Sequence, residues 1–255
     1  VSSVTAARRL VVLPALRASG GEQMRLDERL LDQAREPVAR RYVWDPPAVS
    51  LGKFQRLPGE TAGGEWARGG WANGPTVRQP GDLDLVRRPT GGRAVLHGAA
   101  FEWSFALVFP VGSLGSPSLQ ASYRFVNDGF AASLDRCGVT FDPGREEPYH
   151  RSGLCFATAL RQDLLVGGEK VVAVAQARRG SNVLVHGSVL ERRPPQALTA
   201  AVEELLGEPW RGEGLARSGC PIDADVLWDD VVSRLATALE AELVPAVPHA
   251  EVSLA

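Results

Sequence analysis

Residues 87–97, Arg87-Arg88-Pro89-Thr90-Gly91-Gly92-Arg93-Ala94-Val95-Leu96-His97, put two adjacent glycines between an arginine-rich approach and a short apolar run. Neither glycine has a Cβ, so the backbone can turn tightly there and come close to a ligand. The pattern predicts a Gly-Gly turn between two strands, with arginines on both sides offering fixed positive charge to a carboxylate or phosphate. By itself, an ordinary hairpin with surface arginines explains the segment equally well.

Outward from this segment the chain alternates between strand and helix patterns. Phe101, Trp103, Phe105, Leu107 and Phe109 alternate with Glu102, Ser104, Ala106 and Val108, a period of two that predicts a strand. Leu119, Tyr123, Val126, Phe130 and Leu134 then follow helical spacing, with Gly138 placed to cap the end. Two strands joined by Gly167-Gly168 are expected over Leu164 to Ala177, and another over Val183 to Leu190. Upstream, Leu10-Val11-Val12-Leu13 reads as a first strand, Glu22 to Ala34 as an amphipathic helix, and Tyr42 to Phe54 as two extended pieces around Asp45-Pro46-Pro47. Residues 58–75 hold six glycines and two tryptophans and are expected to form a loop or lid. Two helices, about Ala197 to Leu206 and Ala224 to Leu243, close the chain. Helices early, midway and late around a strand-rich centre predict an α+β fold, a mixed sheet flanked by helices.

Composition narrows the function classes. With 255 residues, 44% of them hydrophobic, the chain can bury a core without disulfides or metals. A net charge of −2 argues against a nucleic-acid backbone as partner. No apolar run reaches membrane-spanning length, and the stretch after Arg8-Arg9 is broken by Pro14, a poor signal peptide. Three cysteines, Cys137, Cys155 and Cys220, without CxxC spacing, fit neither a disulfide framework nor a zinc site. A reducing, cytoplasmic setting and no metal are therefore expected.

Two further segments carry candidate chemistry. Leu154-Cys155-Phe156 is expected in a strand; a lone cysteine there is ordinarily a buried, inert thiol. Lys170 to Arg178 leads to His186-Gly187-Ser188-Val189-Leu190. Lys170 lies among apolar residues, where desolvation would make it useful in a site, although a solvated strand end is the usual fate of such a lysine. His186 alone is more often structural than catalytic.

In order, these segments resemble the lipoate/biotin protein ligase superfamily, and within it the cysteine-dependent octanoyltransferases. The matching motifs are Arg87–His97 (RRPTGGRxVLH), Cys155-Phe156, Lys170–Arg178 (KVxxxAQxR) and His186–Leu190. Arg41–Pro46 with Ser50–Gln55, and Met24–Glu28, resemble further family elements. The resemblance covers about residues 8 to 192 and implies one catalytic domain over 1–255 with the class II aminoacyl-tRNA synthetase-like fold. Carried over, it makes Cys155 the acyl-accepting nucleophile and Lys170 its companion at the acyl carbonyl. Arg88, Gly91, Gly92, Arg93 and His97 would line the acyl tunnel and its mouth, with His186 and Gly187 on the facing strand. Three departures stand out: Gly98 where many relatives have Asp, Ala173-Val174 for a common Gly-Ser, and the 58–75 loop for a short helix.

The implied reaction passes an octanoyl group from octanoyl acyl carrier protein through a cysteine thioester to a lysine of a lipoyl domain or glycine cleavage H protein, by a monomeric enzyme without cofactor. A thioester is already activated, and a cysteine divides the transfer into two displacements. The alternatives are an ATP- and Mg-dependent lipoate ligase, an octanoyl amidotransferase between lipoyl domains, and a carrier-binding scaffold without chemistry. Ligase relatives usually carry a third glycine where Arg93 stands, and need no cysteine.

Overall fold

A computed structural model of the chain describes residues 8–58, 77–79, 83–116, 118–148, 151–161 and 163–246. From residue 59 onward the Gly/Trp-rich stretch lies outside them.

The long sheet forms around the alternating segment. Strand β8 (Glu102–Pro110) pairs antiparallel with β3 (Val38–Trp44) on one side and with β11 (Asn182–Leu190) on the other. Beyond β11 lie β10 (Glu169–Arg179) and β9 (Leu164–Val166), the Gly167-Gly168 hairpin expected from sequence. Beyond β3 lie β1 (Arg8–Val12) and β12 (Ala241–Pro245), both parallel to their neighbours, and β2 (Leu16–Ala18) also pairs β3. Parallel and antiparallel pairs together make the sheet mixed, as expected.

Both faces of β8 are buried, so its polar residues do not face solvent. One face packs Trp103 and Phe105 against α2 (Leu119–Arg136) and α4 (Ala224–Ala238); ring centroids of Phe105 and Phe130 are 4.6 Å apart. Each such aromatic pair contributes about 0.5–1.5 kcal/mol beyond its buried area. The other face turns Glu102 and Ser104 inward, with Ala106 and Val108 under α1 (Gly20–Gln33). Helix α1 starts two residues before the predicted Glu22 because Ser19 and Glu22 form a reciprocal capping box. A second sheet, in the order β5 (Val77–Gln79), β6 (Leu83–Arg87), β4 (Ala48–Leu51), β7 (Val95–His97), packs with α3 (Gln196–Leu206) around Leu51, Leu85, Leu96 and Phe101.

The Gly-Gly segment joins two strands, as expected, but the ordinary-hairpin alternative is excluded: β4 lies between β6 and β7, so residues 88–94 cross over the end of β4. Two sequence expectations are corrected. The last helix stops at Ala238 instead of running to Leu243. Glu240 adopts φ 52° and the chain turns back, because the open edge of β1 takes Ala241–Pro245 as a partner strand. Leu154-Cys155-Phe156 is not a strand; Leu154 makes a single bridge to Ala94, and the chain bends at Cys155.

Candidate active site

A crossing loop has carbonyls with no strand partner, and buried carbonyls need donors. The two arginines supply them. Buried Arg88 donates to the carbonyls of Ser50, Gly91 and Arg93 and to Ser50 Oγ, while Arg87 donates to those of Gly52, Lys53 and Gln55. Both guanidinium groups thus brace the loop, a use of arginine that spacing does not reveal. The loop also approaches the turn after β4: a Cβ on Gly52 would lie 2.0 Å from the Gly92 carbonyl oxygen, and Gly92 sits at φ 104°. Both positions exclude larger residues.

Under this loop opens a mainly apolar cavity of about 270 Å³ between the two sheets. Arg88, Gly91, Gly92, His97, Cys155, Lys170, His186 and Gly187 all line it, joined by Met24, Tyr42, Trp44 and Ala173. Among the lining residues Arg93 is absent; its carbonyl receives Arg88. Gly187 is required by packing, since a Cβ there would lie 2.3 Å from the Ala173 carbonyl oxygen and 2.5 Å from the Phe105 ring.

Cys155 enters the cavity from its bend, half-buried, with its N–H donated to the Ala94 carbonyl at 2.9 Å. That amide is committed to the backbone. Gln55 Nε2 binds the Gly153 carbonyl, and Glu208 accepts from Ser152 Oγ and the Gly153 amide, so the segment before the cysteine is held from two sides. A bulge in β10 between Lys170 and Val172 turns Lys170 inward, where Nζ lies 4.0 Å from Cys155 Sγ. Lys170 also forms a buried ion pair with Asp163 at 2.7 Å. Asp163 was missed in the sequence; the signal available was only an acidic residue just before the β9 hairpin. A carboxylate there fixes the lysine's position beside the thiol, the placement by which a lysine makes a cysteine more reactive. Lys170→Met is therefore expected to slow iodoacetamide alkylation of Cys155 by roughly ten-fold at neutral pH, read by peptide mass. An unchanged rate would remove Lys170 from thiol activation.

Two buried polar networks make the rest of the wall. His186 Nδ1 lies 2.8 Å from Asp27 and Nε2 2.7 Å from Thr90 Oγ1. Asp27, fully buried, also receives Arg40 at 2.6 and 2.9 Å. Burial works to raise the Asp27 pKa, but the Arg40 charge and His186 prevail and hold it below the ordinary value. An ionised Asp27 accepts only, so His186 carries a proton on Nδ1, and Nε2 is held by the Thr90 hydroxyl. In the second network His97 stacks on Trp44 at 3.9 Å between Ser50 and Glu102. Among the described residues no group of three or more His, Cys, Asp or Glu is arranged to hold a metal ion, and no helix is long and apolar enough to cross a membrane.

Residues 19–209 match the family model described as the lipoyl protein ligase A/B catalytic domain. The chain is 35% identical over 181 residues to octanoyltransferase LipM of Carboxydothermus hydrogenoformans, covering 68% of this chain but 61% of that protein. It is 32% identical over 233 residues to octanoyltransferase LipM of Kyrpidia tusciae, covering 84% and 80% respectively. In fold it is similar to a Thermoplasma acidophilum protein solved with bound lipoic acid (TM-score 0.70, 19% identity, covering 97% and 92%). It is also similar to lipoate-protein ligase A solved with ATP (TM-score 0.69, 19% identity, covering 97% and 92%). The α+β fold expected from sequence is that of these proteins, and the chain belongs to the lipoyl protein ligase A/B catalytic domain family.

Proposed function

We propose that this protein is an octanoyltransferase of lipoate biosynthesis that carries the acyl group on Cys155. The observation that carries this reading is Cys155 Sγ on the wall of a largely apolar cavity, 4.0 Å from an ammonium that Asp163 fixes. An inert core cysteine needs neither neighbour. The relatives named octanoyltransferase support the acyl group; the mainly apolar cavity beside the thiol suits its apolar chain.

In the first displacement Cys155 Sγ bonds to the octanoyl carbonyl carbon, and the bond to the donor thiol of octanoyl acyl carrier protein breaks. In the second, a lysine amine of a lipoyl domain or H protein attacks the same carbon, the carbon–sulfur bond breaks, and the proton the amine loses restores the Cys155 thiol. The Lys170 ammonium stabilises negative charge on sulfur and on the carbonyl oxygen in both steps. The reaction needs no cofactor, and the three cysteines as free thiols suit the reducing cytoplasm.

Intact mass after incubation with octanoyl acyl carrier protein tests the reading directly. One octanoyl group on Cys155, discharged by added lipoyl domain, is expected; no adduct would remove the covalent role. Loading from an octanoylated lipoyl domain alone would select the amidotransferase. No lipoate-dependent ATP–pyrophosphate exchange is expected, because the loop over the cavity carries Arg93 where a third glycine would let backbone approach an adenylate phosphate. Robust exchange in a radiolabelled pyrophosphate assay would sink the transferase reading and select the ligase.

A further inference from the structure

Besides Cys155, the cavity wall holds a second group of residues in nucleophile, base and carboxylate order. Ser50 Oγ lies 2.8 Å from His97 Nε2, and His97 Nδ1 lies 3.1 Å from Glu102 Oε1. These residues come from β4, β7 and β8, so both sheets contribute. Proton placement follows from the partners. Glu102 Oε2 accepts from the Ser104 and Ser188 hydroxyls, and its Oε1 faces His97 Nδ1, the arrangement of an imidazole that carries its proton on Nδ1. Nε2 is then the acceptor, and the Ser50 hydroxyl donates to it. Stacking of the His97 ring on Trp44, with 11° between planes, prevents its rotation. Arg88 donates to Ser50 Oγ at 3.1 Å, a fixed positive charge beside the hydroxyl that favours loss of its proton. Ser50 and His97 line the same cavity as Cys155, so the pair belongs to the wall of a space an acyl group can enter. This is the arrangement in which a serine hydroxyl is made nucleophilic by a histidine that a carboxylate orients.

We propose that Ser50, His97 and Glu102 form a second acyl-accepting centre that hydrolyses short-chain activated acyl esters and thioesters independently of Cys155. Ser50 Oγ bonds to the acyl carbon and the bond from that carbon to the alkoxide or thiolate leaving group breaks. The serine proton passes to His97 Nε2 and on to the leaving group. A water then adds to the same carbon, giving its proton to His97; the acyl–oxygen bond breaks and the proton returns to Ser50, freeing the carboxylic acid. Burial holds the His97 pKa below its ordinary value, so the imidazole is neutral and able to accept that proton. The short chain follows from Ser50 being 1% exposed on the wall of a cavity of about 270 Å³, which leaves little room beyond a carbonyl brought to it.

The test uses the full chain carrying Cys155→Ala, which silences the first nucleophile and makes the outcome independent of its role. Treated with a short alkyl fluorophosphonate, this protein is expected to gain one phosphonyl group on Ser50, located by peptide mass. It should hydrolyse p-nitrophenyl butyrate, with the rate falling about a hundred-fold or more on adding Ser50→Ala. The backbone bond from Arg88 to the Ser50 carbonyl survives that change, so the fold is expected to hold, and thermal unfolding verifies this. Absence of a Ser50 adduct, or a butyrate rate indifferent to Ser50→Ala, overturns the proposal, and the adduct measurement stands even if the serine variant misfolds.

Discussion

Cys155→Ala is expected to lower octanoyl transfer by about a thousand-fold or more, the scale of losing a covalent nucleophile, while Cys137→Ala and Cys220→Ala stay close to wild type. The three thiols differ by placement, not by type. Cys155 borders the cavity and meets Lys170. Cys137 caps the end of α2, and Cys220 donates to the Gly138 carbonyl at 3.3 Å; both pack against the hydrophobic core below the central sheet. Single-turnover transfer to a lipoyl domain, followed by gel shift or mass, gives the comparison. Full activity in Cys155→Ala would end the thioester mechanism, and equal losses in all three variants would point to folding instead of chemistry.

Asp27→Ala is expected to have the largest effect on stability, about 3–5 kcal/mol in urea unfolding, because it leaves a buried charge without its partner. Arg40 is 1% exposed, and two of its nitrogens bind Asp27. Its remaining acceptors are on Gln23. The same substitution removes the partner of His186 Nδ1, so the wall facing Gly91 and Gly92 loses its anchor. By contrast, Arg17→Ala, at an exposed pair with Asp45, should change stability by no more than about 1 kcal/mol. The Asp27 pKa is lower in the folded protein than unfolded, so its contribution is present above the ordinary aspartate value of about 4 and is lost as pH falls through the lower folded value. Acid unfolding of the wild type should therefore steepen in that window, and the Asp27→Ala variant should lack that part of the slope. An unfolding midpoint within error of wild type would show that Arg40 finds water or another acceptor.

Period and order made much of this protein legible without coordinates. The alternation of residues 101–109, the helical spacing after Leu119 and the Gly167-Gly168 hairpin are local properties, set by which face of a strand or helix is apolar, and each element formed. Motif order determined the family, since a family is defined by residues in sequence. What the chain alone could not carry was pairing and aim. Whether residues 88–94 turn back as a hairpin or cross over depends on which strand lies between β6 and β7, and that strand, β4, comes from far upstream. Residues 241–245 have helical company in sequence, yet extend because β1 offers an unpaired edge from the other end of the chain. Arg87 and Arg88 read as ligand-facing charges until the loop's carbonyls are in place to receive them. Asp163 gained meaning only when a bulge turned Lys170 toward it. Glu102 and Ser104 look like the wet side of a strand by alternation, but the second sheet covers that side. Local pattern fixes which groups share a face; the long-range pairing of strands decides what that face meets, because a hydrogen-bonded edge or an ion pair exists only once both partners are brought together.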